Sequence, residues 1–133
     1  MKKRYIVLLV LLVVIVVGVV GVRSFIRKSE VALNQLSVLS IENPDLSKIV
    51  DGKYEGSYEA FPVKVVVTVE VDDHRIVAVE LKEHRNGQGK PAESLLPQIV
   101  TTQSVELDSV AGATYSSKVI LKAVEQALVK GRL

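Results

Sequence analysis

The chain has 133 residues, of which 17 are basic, 15 are acidic and 48% are hydrophobic. This length allows one domain with a modest core and a membrane anchor. Because cysteine is absent, disulfides, thiolate metal sites, thioether haem attachment, cysteine nucleophiles and a lipoprotein anchor on cysteine are excluded. With two histidines, a metal site would need a carboxylate cluster, and the sequence shows none.

The first 28 residues have the composition of a membrane anchor. Tyr5 to Val22 is an uncharged apolar run that would span about 27 Å as a helix, close to the thickness of a bilayer's hydrocarbon core. A cleavable signal peptide is the alternative, but the run is longer than a signal-peptide core and no convincing small-x-small site follows it. We therefore predict one transmembrane helix. Three basic residues flank each end, so the positive-inside rule does not decide its orientation.

The remainder of the chain is acidic. The anchor contains six of the 17 basic residues and no acidic one, which leaves 11 basic against 15 acidic residues, a net charge of −4. A nucleic-acid surface would need a basic patch, so no nucleic-acid partner is expected. Ser29 to Leu39 has the apolar pattern of a short helix, and Asn43-Pro44 marks a turn. We divide the chain into an anchor (1–28), a stem and linker (29–50) and a domain (51–133).

Three strands are predicted at the start of the domain. The first alternates from about residue 53 to 58, and its Gly56 indicates either a bulge or a close neighbour. Lys64 to Val71 and Arg75 to Glu83 form a hairpin, in which Val77 shares a face with Val79 and Leu81. Alternation of this kind predicts an antiparallel sheet with one buried and one partly wet face.

A polar loop and further elements follow the hairpin. The loop from His84 to Lys90 contains two glycines and two amide side chains, which can offer hydrogen-bond donors. Pro91 to Thr102 predicts a helix that is kinked or begins late because of Pro97. Gln103 to Leu107 predicts a short strand. The expected fold class is α+β, an antiparallel sheet packed with helices and preceded by one N-terminal transmembrane helix.

The stretch from Asp108 to Ser117 places small residues and hydroxyls directly before an amphipathic helix. Gly112-Ala113-Thr114 would then lie at a helix N-terminus, where free N–H groups and a partial positive charge favour a phosphate. Gly112 can adopt positive φ, and Ala113 adds little bulk. Local chemistry alone favours a simpler interpretation, in which Thr114 or Ser116 caps the helix and Asp108 caps the turn.

This stretch resembles the flavinylation motif of the FMN-binding domain family, and the opening Asp51-Gly52-x-Tyr54-x-Gly56 is also typical of it. The family includes the small flavin-carrying subunits of the sodium-pumping NADH:quinone oxidoreductase and the Rnf complex, and short membrane-anchored proteins. In the family, the last residue of Asp-x-x-Ser/Thr-Gly-Ala-Thr carries FMN through a phosphoester bond. The resemblance therefore implies attachment at Thr114. Ala111 departs from the pattern, because it replaces the usual Ser or Thr.

The resemblance also implies that the loop after the third strand lies beside the flavin. His84 would then contact the flavin, and the alternative is that it is a strand-end residue that binds no ligand. The expected cofactor-binding residues are Asp108, Gly112, Ala113, Thr114, Tyr115 and Ser116 in the motif, and His84, Asn86, Gly87, Gln88 and Gly89 in the loop.

Together with the resemblance, these features predict a membrane-anchored electron carrier with FMN on Thr114. We expect the N-terminus inside and the domain outside the cytoplasmic membrane, an orientation that rests partly on the resemblance. The resemblance implies that a separate flavin transferase attaches the FMN, and that the partners are a membrane electron donor and an extracytoplasmic acceptor. The chain itself is not expected to be an enzyme, because the sequence shows no acid–base pair, nucleophile–histidine arrangement or metal cluster. One alternative is a reversible FMN-binding sensor or assembly module of a membrane redox complex. Another is a structural envelope domain with a helix cap at Thr114.

Overall fold

A computed structural model describes residues 2–133 and shows an α+β fold. Three antiparallel strands form one sheet in the order β1-β2-β3, with helices packed against it, as predicted. The elements are α1 (Lys2–Ser37), a 3-10 turn (Leu46–Lys48), β1 (Gly52–Ala60), β2 (Val63–Asp72), β3 (Arg75–Arg85), a second 3-10 turn (Lys90–Ser94), α2 (Leu95–Thr102) and α3 (Thr114–Lys130).

The core lies between the sheet and α3. Alternate valines of β2 point to this side, and Val65, Val67 and Val69 are completely buried. Helix α3 buries seven apolar residues: Val119, Ile120, Leu121, Ala123, Val124, Ala127 and Leu128. The helix that follows the candidate motif is therefore fixed along its length by the sheet.

The face predicted for Val77 is wrong. Val77 is 47% exposed, whereas its neighbour Ile76 is 2% exposed and belongs to the core. The pairing of β2 with β3 shifts register between Glu70 and Val71, so that β3 contains one extra residue at this point. Such a bulge reverses the face of every residue beyond it. Val79 and Leu81, on the other side of the bulge, pack against the core as expected.

One of the two predicted elements that follow the loop is confirmed, and the other does not form. Helix α2 begins at Leu95, after a 3-10 turn, so Pro97 lies in its first turn, where a missing N–H breaks no helical hydrogen bond. The strand predicted from Gln103 to Leu107 does not form. Gln103 adopts a left-handed conformation, and its side-chain amide bonds both the N–H and the carbonyl of Ile76 at 2.8 Å. The amide thus occupies the sheet edge that a fourth strand would need.

Helix α1 joins the apolar run to the domain. Within the described residues, one helix is long and apolar enough to cross a membrane, and its most apolar window has a mean hydropathy of 3.3. The C-terminal part of α1 buries Ala32 and Leu36 in the domain core. Lys118 of α3 donates a 2.9 Å hydrogen bond to the carbonyl of Leu36, near the end of α1. A cation at a helix C-terminus is favourable, so this contact fixes α1 to the start of α3.

Candidate functional site

The turn before α3 is tightly held by its own hydrogen bonds. The N–H of Ala113 donates to the carbonyl of Val110 at 2.9 Å, and Gly112 between them has φ 77°, as predicted. The buried Ser117 hydroxyl accepts a hydrogen bond from the N–H of Val110 and donates one to the carbonyl of Ala113. The side chain of Ser117, a residue that we did not predict in the site, therefore fixes the turn from inside.

The N-terminus of α3 has no side-chain cap. Thr114 is the first residue of the helix, and Ala113 occupies the cap position without a side-chain hydrogen bond. The interpretation of Thr114 or Ser116 as the cap is therefore wrong. The N–H groups of the first turn have no carbonyl partners within the helix, so they can receive an anion. Added bulk at Gly112 would meet no atom within 4 Å, so the turn is open on this side.

The three serine and threonine residues at the helix start differ in exposure. Thr114 is exposed, whereas Ser116 is 1% and Ser117 is 0% exposed. Thr114 borders two clefts. The larger, about 290 Å³, separates it from Leu33 and Leu36 of α1. Of these three hydroxyls, only that of Thr114 can be reached by a modifying enzyme without unfolding the turn.

The second cleft lies between the turn and the loop after β3, and its volume is about 170 Å³. Its lining residues are Val63, Gly87, Gln88, Gly89, Gly112, Ala113, Thr114, Tyr115 and Ser116. The loop and the motif thus face each other, as the resemblance implied. Asp108, His84 and Asn86 do not line this cleft.

The absence of a side chain at Gly89 permits close contact between the loop and α3. A Cβ atom at Gly89 would lie 1.8 Å from the Ser116 Oγ and 2.6 Å from its Cβ, whereas one at Gly87 would meet nothing within 4 Å. Gly89 therefore sets the width of the cleft. Gly87 leaves the outer part of the loop open to a ligand.

His84 lies behind the cleft in a buried polar chain. Its side chain is 2% exposed, with Nδ1 2.8 Å from the Glu93 carboxylate and Nε2 3.2 Å from the Ser116 hydroxyl. When Nδ1 carries the proton of a neutral ring, it donates to Glu93 and Nε2 accepts from Ser116. The chain joins the end of β3, the second 3-10 turn and α3, and so positions the walls of the cleft.

This Ser–His–Glu arrangement was missed in the sequence. Ser116 and Glu93 lie 32 and nine positions from His84, and no local sequence pattern predicts that they contact it. The one available signal was a histidine at a strand end followed by a carboxylate in the next turn. Because Ser116 is buried, these three hydrogen-bonded side chains are suited to positioning the cleft walls.

Tyr115 lines the cleft and is also anchored to the β1–β2 turn, whereas Asp108 lies outside the cleft. Tyr115 packs against the core and donates a 2.6 Å hydrogen bond to the carbonyl of Phe61. Burial, and to a smaller extent the nearby Tyr58, raises the pKa of Tyr115, so it remains a neutral donor at physiological pH. The exposed Asp108 makes no side-chain hydrogen bond within the described residues, so its predicted capping of the turn does not occur. Ser117 has that role.

The fold and the site define a small α+β domain with an uncapped helix start, an exposed hydroxyl and a glycine-lined cleft. Residues 58–129, more than half of the chain, match the FMN-binding domain. The chain belongs to the FMN-binding domain family, and FMN is its cofactor.

Other comparisons add little to this assignment. Among solved structures, the chain is similar to the CPE2226 protein of Clostridium perfringens, with 21% sequence identity and a TM-score of 0.49. That similarity covers 62% of this chain and 88% of the other. No curated protein matches the sequence.

The residues of the site fit FMN. The free first-turn N–H groups and the open side of Gly112 suit its phosphate. The cleft between Gly87–Gly89 and the motif offers a surface with little side-chain bulk beside that phosphate site. Thr114 lies at the junction of the two features, where its hydroxyl can meet the phosphate.

Proposed function

We propose that this chain is a membrane-anchored, extracytoplasmic electron carrier with FMN attached to Thr114 by a phosphoester bond. The observation that carries this proposal is the exposed Thr114 hydroxyl at the uncapped start of α3. Bound FMN accepts and releases one or two electrons, and the protein supplies attachment and orientation. The chain is a carrier and not an enzyme in this proposal.

The attachment would be made by a separate flavin transferase with FAD as the donor. The Thr114 hydroxyl oxygen would replace AMP on the flavin-bearing phosphorus of FAD, so one phosphoester bond forms and the pyrophosphate bond breaks. The hydroxyl proton leaves with the AMP. Among the serine and threonine residues of the motif, Thr114 is exposed, Ser109 is half-buried, and Ser116 and Ser117 are buried. Thr114 is therefore the one that such an enzyme can reach most readily on the folded domain.

A covalent bond suits the shape of the site. The 170 Å³ cleft is smaller than the pockets of about 300–1,000 Å³ that enclose most of a ligand. FMN on Thr114 would therefore remain partly exposed, which favours electron exchange with a docked partner but weakens reversible retention. A bond to the protein removes the risk of loss into the surrounding medium.

In this proposal, the stem holds the site near the membrane. Leu36, which lines the cleft beside Thr114, lies 14 residues beyond Val22, or about 21 Å along a straight helix. Because Lys118 and the buried side chain of Leu36 fix this part of α1 to the domain, Thr114 remains at that level. The proposed partners are consequently a donor in the membrane and an acceptor outside the cytoplasm.

Covalent attachment is tested on the full chain purified from cells that contain a flavin transferase. We expect the intact mass to exceed that of the polypeptide by one FMN less one water, and yellow fluorescence to remain with the chain after denaturation. Release of all FMN on denaturation would instead support the reversible sensor or assembly module. A protein without any flavin would support a structural domain.

The side of the membrane is tested with a single introduced thiol, because the natural chain has no cysteine. Ser57 is exposed on β1, away from the cleft, so Ser57→Cys should react with a membrane-impermeant maleimide. For an extracytoplasmic domain, we expect equal labelling in intact and permeabilised cells. Labelling only after permeabilisation would place the domain in the cytoplasm and contradict the proposed location.

A further inference from the structure

A further cleft, larger than the two beside Thr114, lies between α1 and the end of the β1–β2 hairpin. It has a volume of about 750 Å³ and does not overlap the lining of the cofactor cleft. Val20, Val31 and Phe61 contribute apolar surface to its walls, and Arg23, Arg27 and Lys28 contribute positive charge.

The charges of this cleft are unbalanced. Within the described side chains, no salt bridge contains Arg23, Arg27 or Lys28. Glu59, the acidic residue of the lining, is bound to Arg85 at 2.7 Å. The Lys28 ammonium lies 5.9 Å from the centre of the Phe61 ring, so the hairpin turn holds a cation near the cleft. The cleft is therefore complementary to an anionic group attached to an apolar body.

The position of the cleft matches the membrane surface, if the anchor of the proposed function is accepted. Arg23 directly follows the apolar run, and Lys28 lies about 9 Å beyond Val22 along the helix. The headgroup layer of one leaflet is about 5–7 Å thick. Side chains on a helix tilt toward its N-terminus, here toward the membrane, so the long Arg and Lys side chains reach back to the depth of the lipid phosphates. Val20 lies within the apolar run, where acyl chains would begin.

We propose that this cleft binds the headgroup of an anionic phospholipid. Arg23, Arg27 and Lys28 hold the phosphate beside the Phe61 ring, and the upper part of one acyl chain lies along Val20. Because Phe61 also accepts the hydrogen bond from Tyr115, a lipid here contacts the segment that supports the start of α3. The bound lipid would thus help to fix the orientation of the domain, and of Thr114, relative to the membrane.

The test uses the full chain in detergent with equal amounts of phosphatidylglycerol and phosphatidylcholine, and native mass spectrometry to count retained lipids. We expect the wild type to retain phosphatidylglycerol about tenfold better or more. This preference should be lost in the triple variant R23Q/R27Q/K28Q. The control K2Q/K3Q/R4Q removes the same charge at the other end of the apolar run and should keep the preference.

Several results would overturn the proposal. These are equal retention of the two lipids by the wild type, equal loss of preference in both variants, or displacement of the lipid by millimolar inorganic phosphate. The last result would identify a soluble anion as the ligand.

Circular dichroism shows whether each variant is folded. A conservative R23K/R27K variant, which keeps all charges, should retain the preference. Carbonate extraction of membranes separately tests the anchor, and the intact mass separately tests FMN attachment.

Discussion

The Thr114→Ala variant should lose the mass of attached FMN completely while keeping its fold. The attachment needs a hydroxyl oxygen as the nucleophile, and alanine has none. Thr114 is exposed and makes no side-chain hydrogen bond within the described residues, so its loss should change the free energy of unfolding by less than about 0.5 kcal/mol. Intact-mass measurement and circular dichroism on the same sample check both expectations.

One matched control keeps a hydroxyl at position 114, and the other removes a neighbouring hydroxyl. Thr114→Ser keeps an oxygen at the same position and should keep FMN. Ser116→Ala removes a buried hydroxyl that contacts His84 and should also keep FMN, although the cleft wall loses one hydrogen bond. FMN mass retained in Thr114→Ala would place the bond on another residue and contradict the assignment.

Much of this site was predictable because its determinants are local in sequence. The positive φ of Gly112, the start of a helix near Thr114 and the apolar stripe of α3 all depend on residues within a few positions of each other. The sheet was predictable for a similar reason, since the alternating valines of β2 have one buried face. A glycine inside the strand at position 56 likewise predicted, from local sequence, either a bulge or a close neighbour, and the structure shows the close neighbour.

The errors and omissions concern contacts between distant segments. Val77 was placed on the wrong face because a bulge depends on how two strands pair, and alternation in one strand does not show it. The strand predicted at Gln103 was lost to a side-chain contact with Ile76, 27 residues earlier. The contact of His84 with Glu93 and Ser116 likewise exists only after the helices have packed.

Gly56→Ala should be the most destabilising small substitution in the domain, because β1 and α3 meet at this position with no room for a side chain. A Cβ atom there would lie 2.0 Å from the Ala123 carbonyl oxygen and 2.5 Å from the Ala127 nitrogen. The strands remain in continuous register at Gly56, so the glycine serves close packing and not a bulge. Both obstacles are backbone atoms of a helix held along its length, so no rotamer change can relieve the clash.

We expect Gly56→Ala to lower the free energy of unfolding by about 3 kcal/mol or more. For a domain of this size, the melting temperature should fall by about 12–24 °C. Gly87→Ala adds the same methyl group in open space and should change stability little. The double variant Gly56→Ala/Ala127→Gly removes one side-chain contact but leaves both backbone contacts, so it should not recover stability. Recovered stability in the double variant, or a melting temperature close to wild type in Gly56→Ala, would show that α3 can move away from β1. The packing that positions Thr114 would then be looser than the structure indicates.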